Sequence, residues 1–247
     1  MIKQGRVSKA LHFDFLKKFK LKDYGDTHAP CVFFGCYKGR NDLGIILNHK
    51  GLVVLCWGGT DILGMTPEDF ASLRKDNIKH IAISRYIGDD LNRQGFKYRS
   101  VPITAAPLRF NPVPLGISIY TYLDKRRPDF YGEPIIRLLE DRYDIIRGTG
   151  DIPKEKMGEV YSRCFLGLRL TKHDGLPNTV VEMGLMGRRC VYNGYLPNAI
   201  NYKSTADIIN AIEHERKKIG MVQFDVARKM FDYLNIGNTW LDEKTYV

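Results

Sequence analysis

The run 164–191 constrains the fold of this chain more than any other stretch. An apolar strand over 164–170 leads into a Gly/Pro turn, and a helix begins near Asn178 and ends at Gly187, ahead of a second apolar segment. Strand, loop, helix and strand in that order make an α/β unit. The first amides and the positive dipole end of such a helix face the loop, where an anion such as a diphosphate can sit. Glu182 falls four residues after Asn178 and three after Thr179, on the same helix face about one turn (~5 Å) further along. That spacing suits a nucleotide, with phosphate on the helix start and ribose hydroxyls on the carboxylate.

The same rhythm runs through most of the chain. Strands are expected at Cys31–Phe34, 52–57, 78–84 and 98–103, with helices over 41–49, from Pro67 behind a Thr66 cap, and through Arg93. Beyond a Pro-rich passage at 102–114, strands at 116–123 and 144–147 alternate with helices at 133–141 and 154–161, and two helices close the chain at 205–218 and 222–234. Alternation of this kind builds parallel sheets covered on both faces, with ligands gathered at the carboxyl ends of the strands. The Pro-rich passage reads as a linker, giving domains at 1–110 and 111–247. Loops at those strand ends carry Gly35 and Gly39 after the first expected strand, then Gly58, Gly59 and Asp61 after the second. Gly58 and Gly59 fit either a tight turn or a binding loop, and Asp61 either a helix N-cap or a functional carboxylate.

Of the 247 residues 44% are hydrophobic, enough for real cores, and no apolar run reaches the ~18 residues of a membrane span. Five cysteines in apolar runs without a CxxC pair read as reduced core residues of a cytoplasmic protein. The net charge of +10 is uneven, with 18 basic against 10 acidic residues in 1–110 and 20 against 18 in the remainder. Residues 7–21 read as a basic amphipathic helix, which either packs on its domain or meets an acidic partner. There is no D-x-D triplet to hold a metal-bound diphosphate, and no Ser-His-Asp or Cys-His arrangement for hydrolysis.

The spacing from Asp174, Gly175 and Pro177 to Glu182, seven residues lying between the two acids, resembles the donor-binding domain of family-4-like retaining glycosyltransferases of the GT-B fold. The sequence departs from that pattern in carrying Asp174 where the family usually has Glu, Arg188-Arg189 where it often has Gly-Thr-Pro, and Tyr131-Gly132 where Lys-Gly is expected. The resemblance implies two Rossmann-like domains whose parallel sheets face a cleft, with a C-terminal helix crossing back. It implies a metal-independent hexosyltransferase that uses a nucleotide sugar as donor substrate and needs no cofactor. Under it Glu182 holds the ribose, and Gly175, Asn178, Thr179, Arg126 and Lys125 address the diphosphate, with Gly35 and Gly39 close by. Asp174 meets the sugar hydroxyls, His173 either donates to a phosphate or sugar oxygen or is merely exposed, and Asp61 lies on the acceptor side. The implied acceptor is a glycan or lipid-linked glycan, with the basic N-terminal segment placing the protein peripherally at the inner membrane face. Two alternatives stand beside it: a phage-type transferase acting on a modified base of DNA, and a nucleotide-sugar-binding protein without catalysis.

Overall fold

The structure, a computed structural model, describes residues 2, 4–7, 15–104, 106, 109 and 111–235. It divides into two units, the second of them Ala106–Asn235, so the division falls a few residues before the expected 110/111. The first unit contains β1 (Gln4–Val7), α1 (Phe15–Lys18), β2 (Lys22–Asp23), β3 (Cys31–Phe34), α2 (Asp42–Asn48), β4 (Val53–Trp57), α3 (Thr60–Leu63), α4 (Pro67–Ser72), β5 (Ile78–Ala82), α5 (Arg85–Arg93) and β6 (Tyr98–Ser100). The strands are parallel and ordered β2-β1-β3-β4-β5-β6. β3 and β4 are buried throughout, which their unbroken apolar sequences demand. α4 starts where Thr66 and Asp69 exchange hydrogen bonds in a capping box followed by Pro67, and Ser84 caps α5. Trp57, Phe33, Leu55, Phe70 and Leu73 fill the core between these layers.

The N-terminal segment departs from expectation. Val7, placed by periodicity at the head of a helix, closes strand β1 instead. Gln4 makes that strand tolerable inside the sheet. Its Nε2 donates to the carbonyls of Asp26 (2.6 Å) and Ala29 (2.9 Å), and its Oε1 accepts from the amides of Gly25 and Asp26 (both 3.1 Å). A buried polar side chain so satisfied costs little. Gly5 is needed because a Cβ there would lie 2.9 Å from Leu16 and 3.0 Å from Val32. Of the expected helix over 7–21, the described residues retain only α1, and 8–14 lie outside them. The loop carrying Gly35 and Gly39 therefore follows the third strand of the unit, not its first.

The second unit contains β7 (Ser118–Tyr122), α6 (Glu133–Glu140), β8 (Ile145–Gly148), α7 (Met157–Ser162), β9 (Cys164–Arg169), α8 (Asn178–Leu185), β10 (Arg189–Tyr192), β11 (Ala199–Ile200), α9 (Thr205–Arg216) and α10 (Phe224–Asn235). Its parallel strands are ordered β11-β10-β9-β7-β8. Because β8 lies on one side of β7 and β9 on the other, the winding reverses between β7 and β9. Ligands of open parallel sheets bind outside the strand ends at such a reversal. α10 packs on α8, where a Cβ on Gly184 would lie 2.8 Å from Met230 Cε. α10 is the last described helix, expected over 222–234 as the one that crosses back, and it belongs to the second unit.

Candidate donor site

β7 and β9 leave the sheet side by side. Thr121 pairs with Leu168, so Tyr122 and Arg169 are the next neighbours, at the mouth of the reversal point. Arg169 is a lone cation at the end of an apolar strand, and the structure pairs it. Its Nε (2.8 Å) and Nη2 (2.5 Å) both donate to Asp174 Oδ2. Its guanidinium carbon lies 5.2 Å from the centre of the Tyr122 ring and 4.9 Å from that of Tyr131, within cation–π range. Burial opposes its charge, but the Asp174 carboxylate beside it prevails and holds its pKa above the ordinary value.

Two loops meet around this pair. Gly132 has φ +75°, and a Cβ on it would lie 2.7 Å from Leu170 Cβ, so glycine lets the loop after β7 press against the end of β9. The Lys172 amide donates to the Phe130 carbonyl (3.2 Å). Tyr192, at the end of β10, donates its hydroxyl to the carbonyls of Asp174 (3.0 Å) and Gly175 (3.3 Å). The loop that carries His173 and Asp174 is thus fixed from both neighbouring strands. His173 is partly buried and precedes Asp174 on it.

α8 begins directly behind that loop, with Pro177 at its N-cap and no side chain capping its first turn. One turn in, Glu182 Oε2 accepts from the Tyr161 hydroxyl (3.0 Å), which also has Thr179 as a side-chain hydrogen-bond partner. Burial pushes the Glu182 pKa up, while the Tyr161 hydrogen bond and Lys154 pull it back. Glu182, Tyr161, Lys154, Met157 and Leu185 line a cavity of about 550 Å³ along α7 and α8, within the range of small-molecule sites. Arg188, at the foot of the same helices, is fully buried, and its guanidinium donates only to backbone carbonyls.

The basic loop behaves differently from the expected clamp. Arg126 folds back on Asp124 through its amide (3.0 Å), Nε (3.1 Å) and Nη2 (3.0 Å), with its side chain 87% exposed. Those bonds hold the Asp124 carboxyl down at about 2. Lys125 is exposed, and Arg127 lies over the rings of Phe130 and Tyr131.

In the first unit Asp61 is not an N-cap. It lies inside α3, whose N-cap is Gly59 at φ +144°. Its buried carboxylate accepts from the amides of Gly58 (3.1 Å), Gly59 (2.7 Å) and Cys36 (3.3 Å), tying the loops after β3 and β4 together. Burial raises its pKa and those amides lower it, with burial the larger effect. Gly35 is buried at φ +86°, its amide bound to the Cys56 carbonyl (2.8 Å), while Gly39 is exposed with open space around it.

Among the described residues no three His, Cys, Asp or Glu side chains gather in a way that could hold a metal ion, and no helix is long and apolar enough to cross a membrane. No family model and no curated protein matches the chain by sequence. Solved structures do match by shape. HepE of Anabaena, in complex with UDP and glucose, superposes at a TM-score of 0.59 with 10% identity, over 88% of this chain and 78% of HepE. The sucrose-phosphate synthase of Thermosynechococcus elongatus gives 0.58 with 12% identity, over 83% and 69% of the two chains. TarM gives 0.57 with 12% identity over 94% of this chain. These are GT-B glycosyltransferases. This chain has the GT-B fold. It spans 57% of the length of TarM.

Sequence reasoning pointed to Glu182, Asp174 and the start of α8 as candidates, and all three lie in the second unit. It missed Arg169, Tyr161 and Tyr192. Arg169 carried a usable signal, since a charged residue at the edge of a buried strand must find a partner.

Proposed function

We propose that the chain is a glycosyltransferase that binds a nucleoside-diphosphate sugar in its second unit and moves the sugar to an acceptor hydroxyl. One observation carries this reading. At the winding reversal of a GT-B sheet an Arg–Asp pair stands on the loop that leads to an uncapped helix start, and the carboxylate one turn along that helix lines a cavity of about 550 Å³. Glu182 takes the ribose hydroxyls, positioned by Tyr161. The backbone of Gly175, Asn178 and Thr179 takes the diphosphate, supported by Arg126 and Lys125. Asp174 takes sugar hydroxyls, and His173 donates to a phosphate or sugar oxygen. Asp61 orders the loop of Gly35 and Gly39 and is assigned with it to the acceptor.

In the reaction the bond between the anomeric carbon and the diphosphate oxygen breaks, and its electron pair stays on that oxygen. The acceptor oxygen bonds to the carbon and passes its proton to the departing diphosphate oxygen. Preorganised donors aimed at the departing phosphate lower this barrier more than any other device the site offers. Retention of configuration, a hexose as the transferred sugar and independence from metal are parts of the proposal, drawn from the resemblance. The charge of the first unit favours an acidic acceptor. A glycan or lipid-linked glycan at a membrane surface is the leading choice, and DNA the alternative.

The test is release of nucleoside diphosphate from UDP-, GDP- and ADP-sugars, with water or added glycans as acceptor. Release from one donor, lost in Glu182→Ala, supports the proposal. A folded protein that neither binds nor cleaves any of them is a different kind of GT-B protein.

A further inference from the structure

We propose that Arg169 is the cation that receives the donor's diphosphate, and that it does so by exchanging Asp174 for a phosphate oxygen. The inference rests on the donor-site reading above and deepens it.

A departing diphosphate gains negative charge, and a cation at hydrogen-bond range stabilises it. The basic loop can only assist, because Arg126 and Lys125 are exposed and water screens their charges. Arg169 is placed otherwise. It ends one of the two strands that flank the winding reversal, where ligands of such sheets bind. Its guanidinium rests against the edge-to-face pair of Tyr122 and Tyr131, 5.2 and 4.9 Å from their ring centres. Those contacts keep its plane in place whichever anion it faces.

The bond to Asp174 has the form of a placeholder. Nε and Nη2 converge on the single oxygen Oδ2 instead of taking one oxygen each, and Nη1 makes no hydrogen bond among the described residues. An Arg fork is best satisfied by two oxygens in parallel, and a phosphate presents them. Asp174 stands four residues before the uncapped start of α8, so its carboxylate and an arriving phosphate compete for the same positive ground. When phosphate wins, the loop stays put, because Tyr192 holds it by the backbone carbonyls of Asp174 and Gly175 and not by the carboxylate. Asp174 is then released toward the sugar hydroxyls that the donor reading assigns to it. Arg169 remains protonated throughout.

The experiment compares wild type, Arg169→Met and Asp174→Asn by calorimetry with UDP, GDP and ADP, and by NMR titration with the parent nucleosides. For the nucleotide that binds wild type, Arg169→Met is expected to weaken the diphosphate by about tenfold to hundredfold, the scale of charge-assisted hydrogen bonds, with the nucleoside unaffected. Asp174→Asn is expected to bind the diphosphate several-fold more tightly, an effect opposite to that of removing a structural contact. Equal losses for diphosphate and nucleoside in Arg169→Met, or unchanged diphosphate binding there, overturn the inference while the donor site stands. So does weakened or unchanged diphosphate binding in Asp174→Asn, which decides the matter alone if Arg169→Met fails to fold. If no nucleoside diphosphate binds wild type, the donor-site reading and the inference fall together.

Discussion

Replacing Arg188 by Met keeps the length of the side chain and removes every donor. In the structure Nε donates to the carbonyls of Tyr161 and Cys164 (both 3.2 Å), Nη1 to Val113 (2.8 Å) and Met186 (2.5 Å), and Nη2 to Pro114 (2.5 Å) and Ser162 (3.3 Å). Two of these carbonyls follow the ends of α7 and α8 or close them, so helix dipoles help to balance the buried charge. Burial still brings the guanidinium pKa down to about 10. Tyr161, Cys164 and Met186 keep other amide donors after the change. The carbonyls of Val113, Pro114 and Ser162 lose the partner that the structure gives them, at roughly 1–3 kcal/mol each. Relief from burying a charge returns several kcal/mol of that. The expected net loss is about 3 kcal/mol, close to a hundredfold rise in the opening that exposes amides to exchange. Hydrogen exchange read by mass spectrometry over 157–164 and 183–192 measures it directly. Unchanged protection there in Arg188→Met would refute the idea that this side chain ties the linker to both helices.

Three further outcomes are expected. Burial in contact with Trp57 and Phe96 lowers the His80 pKa from 6.5 to about 4, so the fold binds fewer protons than the unfolded chain between those values. Stability is then complete above pH 6.5 and falls by up to about 3 kcal/mol as the pH drops to 4; urea titrations should show a shallower decline in His80→Gln, and equal declines would refute the assignment. Gly132→Ala forces a side chain into the left-handed region against Leu170, and should cost about 1–3 kcal/mol and weaken donor binding by disturbing Arg169, checked by thermal melts and calorimetry. On the proposed reading, in which helix amides and arginines hold the diphosphate, turnover should survive EDTA; loss on chelation with recovery in Mn²⁺ would count against it.

The sequence disclosed most of the fold because its strongest strands, β3, β4 and β9, are largely apolar runs, and because Thr66 and Pro67 mark a helix start. It concealed β1, a short strand whose Gln4 and Gly5 are acceptable only through contacts made far along the chain, with Asp26, Ala29 and Val32. Asp174 and Glu182 were legible by spacing within one loop and helix. Arg169, Tyr161 and Tyr192 were not, since they come from three separate elements and meet the others only when the sheet assembles. The Arg188-Arg189 pair looked like a mere departure from a pattern, and its reason lies in carbonyls some 75 residues away in sequence, a closure that no local reading contains.

The most direct test of the donor-site account is calorimetric titration of wild type and Glu182→Ala with UDP-, GDP- and ADP-glucose, with the fold of the variant checked by circular dichroism. One of these donors should bind wild type, and the variant should lose about 1.5–3 kcal/mol of that affinity, the scale of a hydrogen bond to a charged group. Absence of binding by every donor, or undiminished affinity in a folded Glu182→Ala, would contradict it.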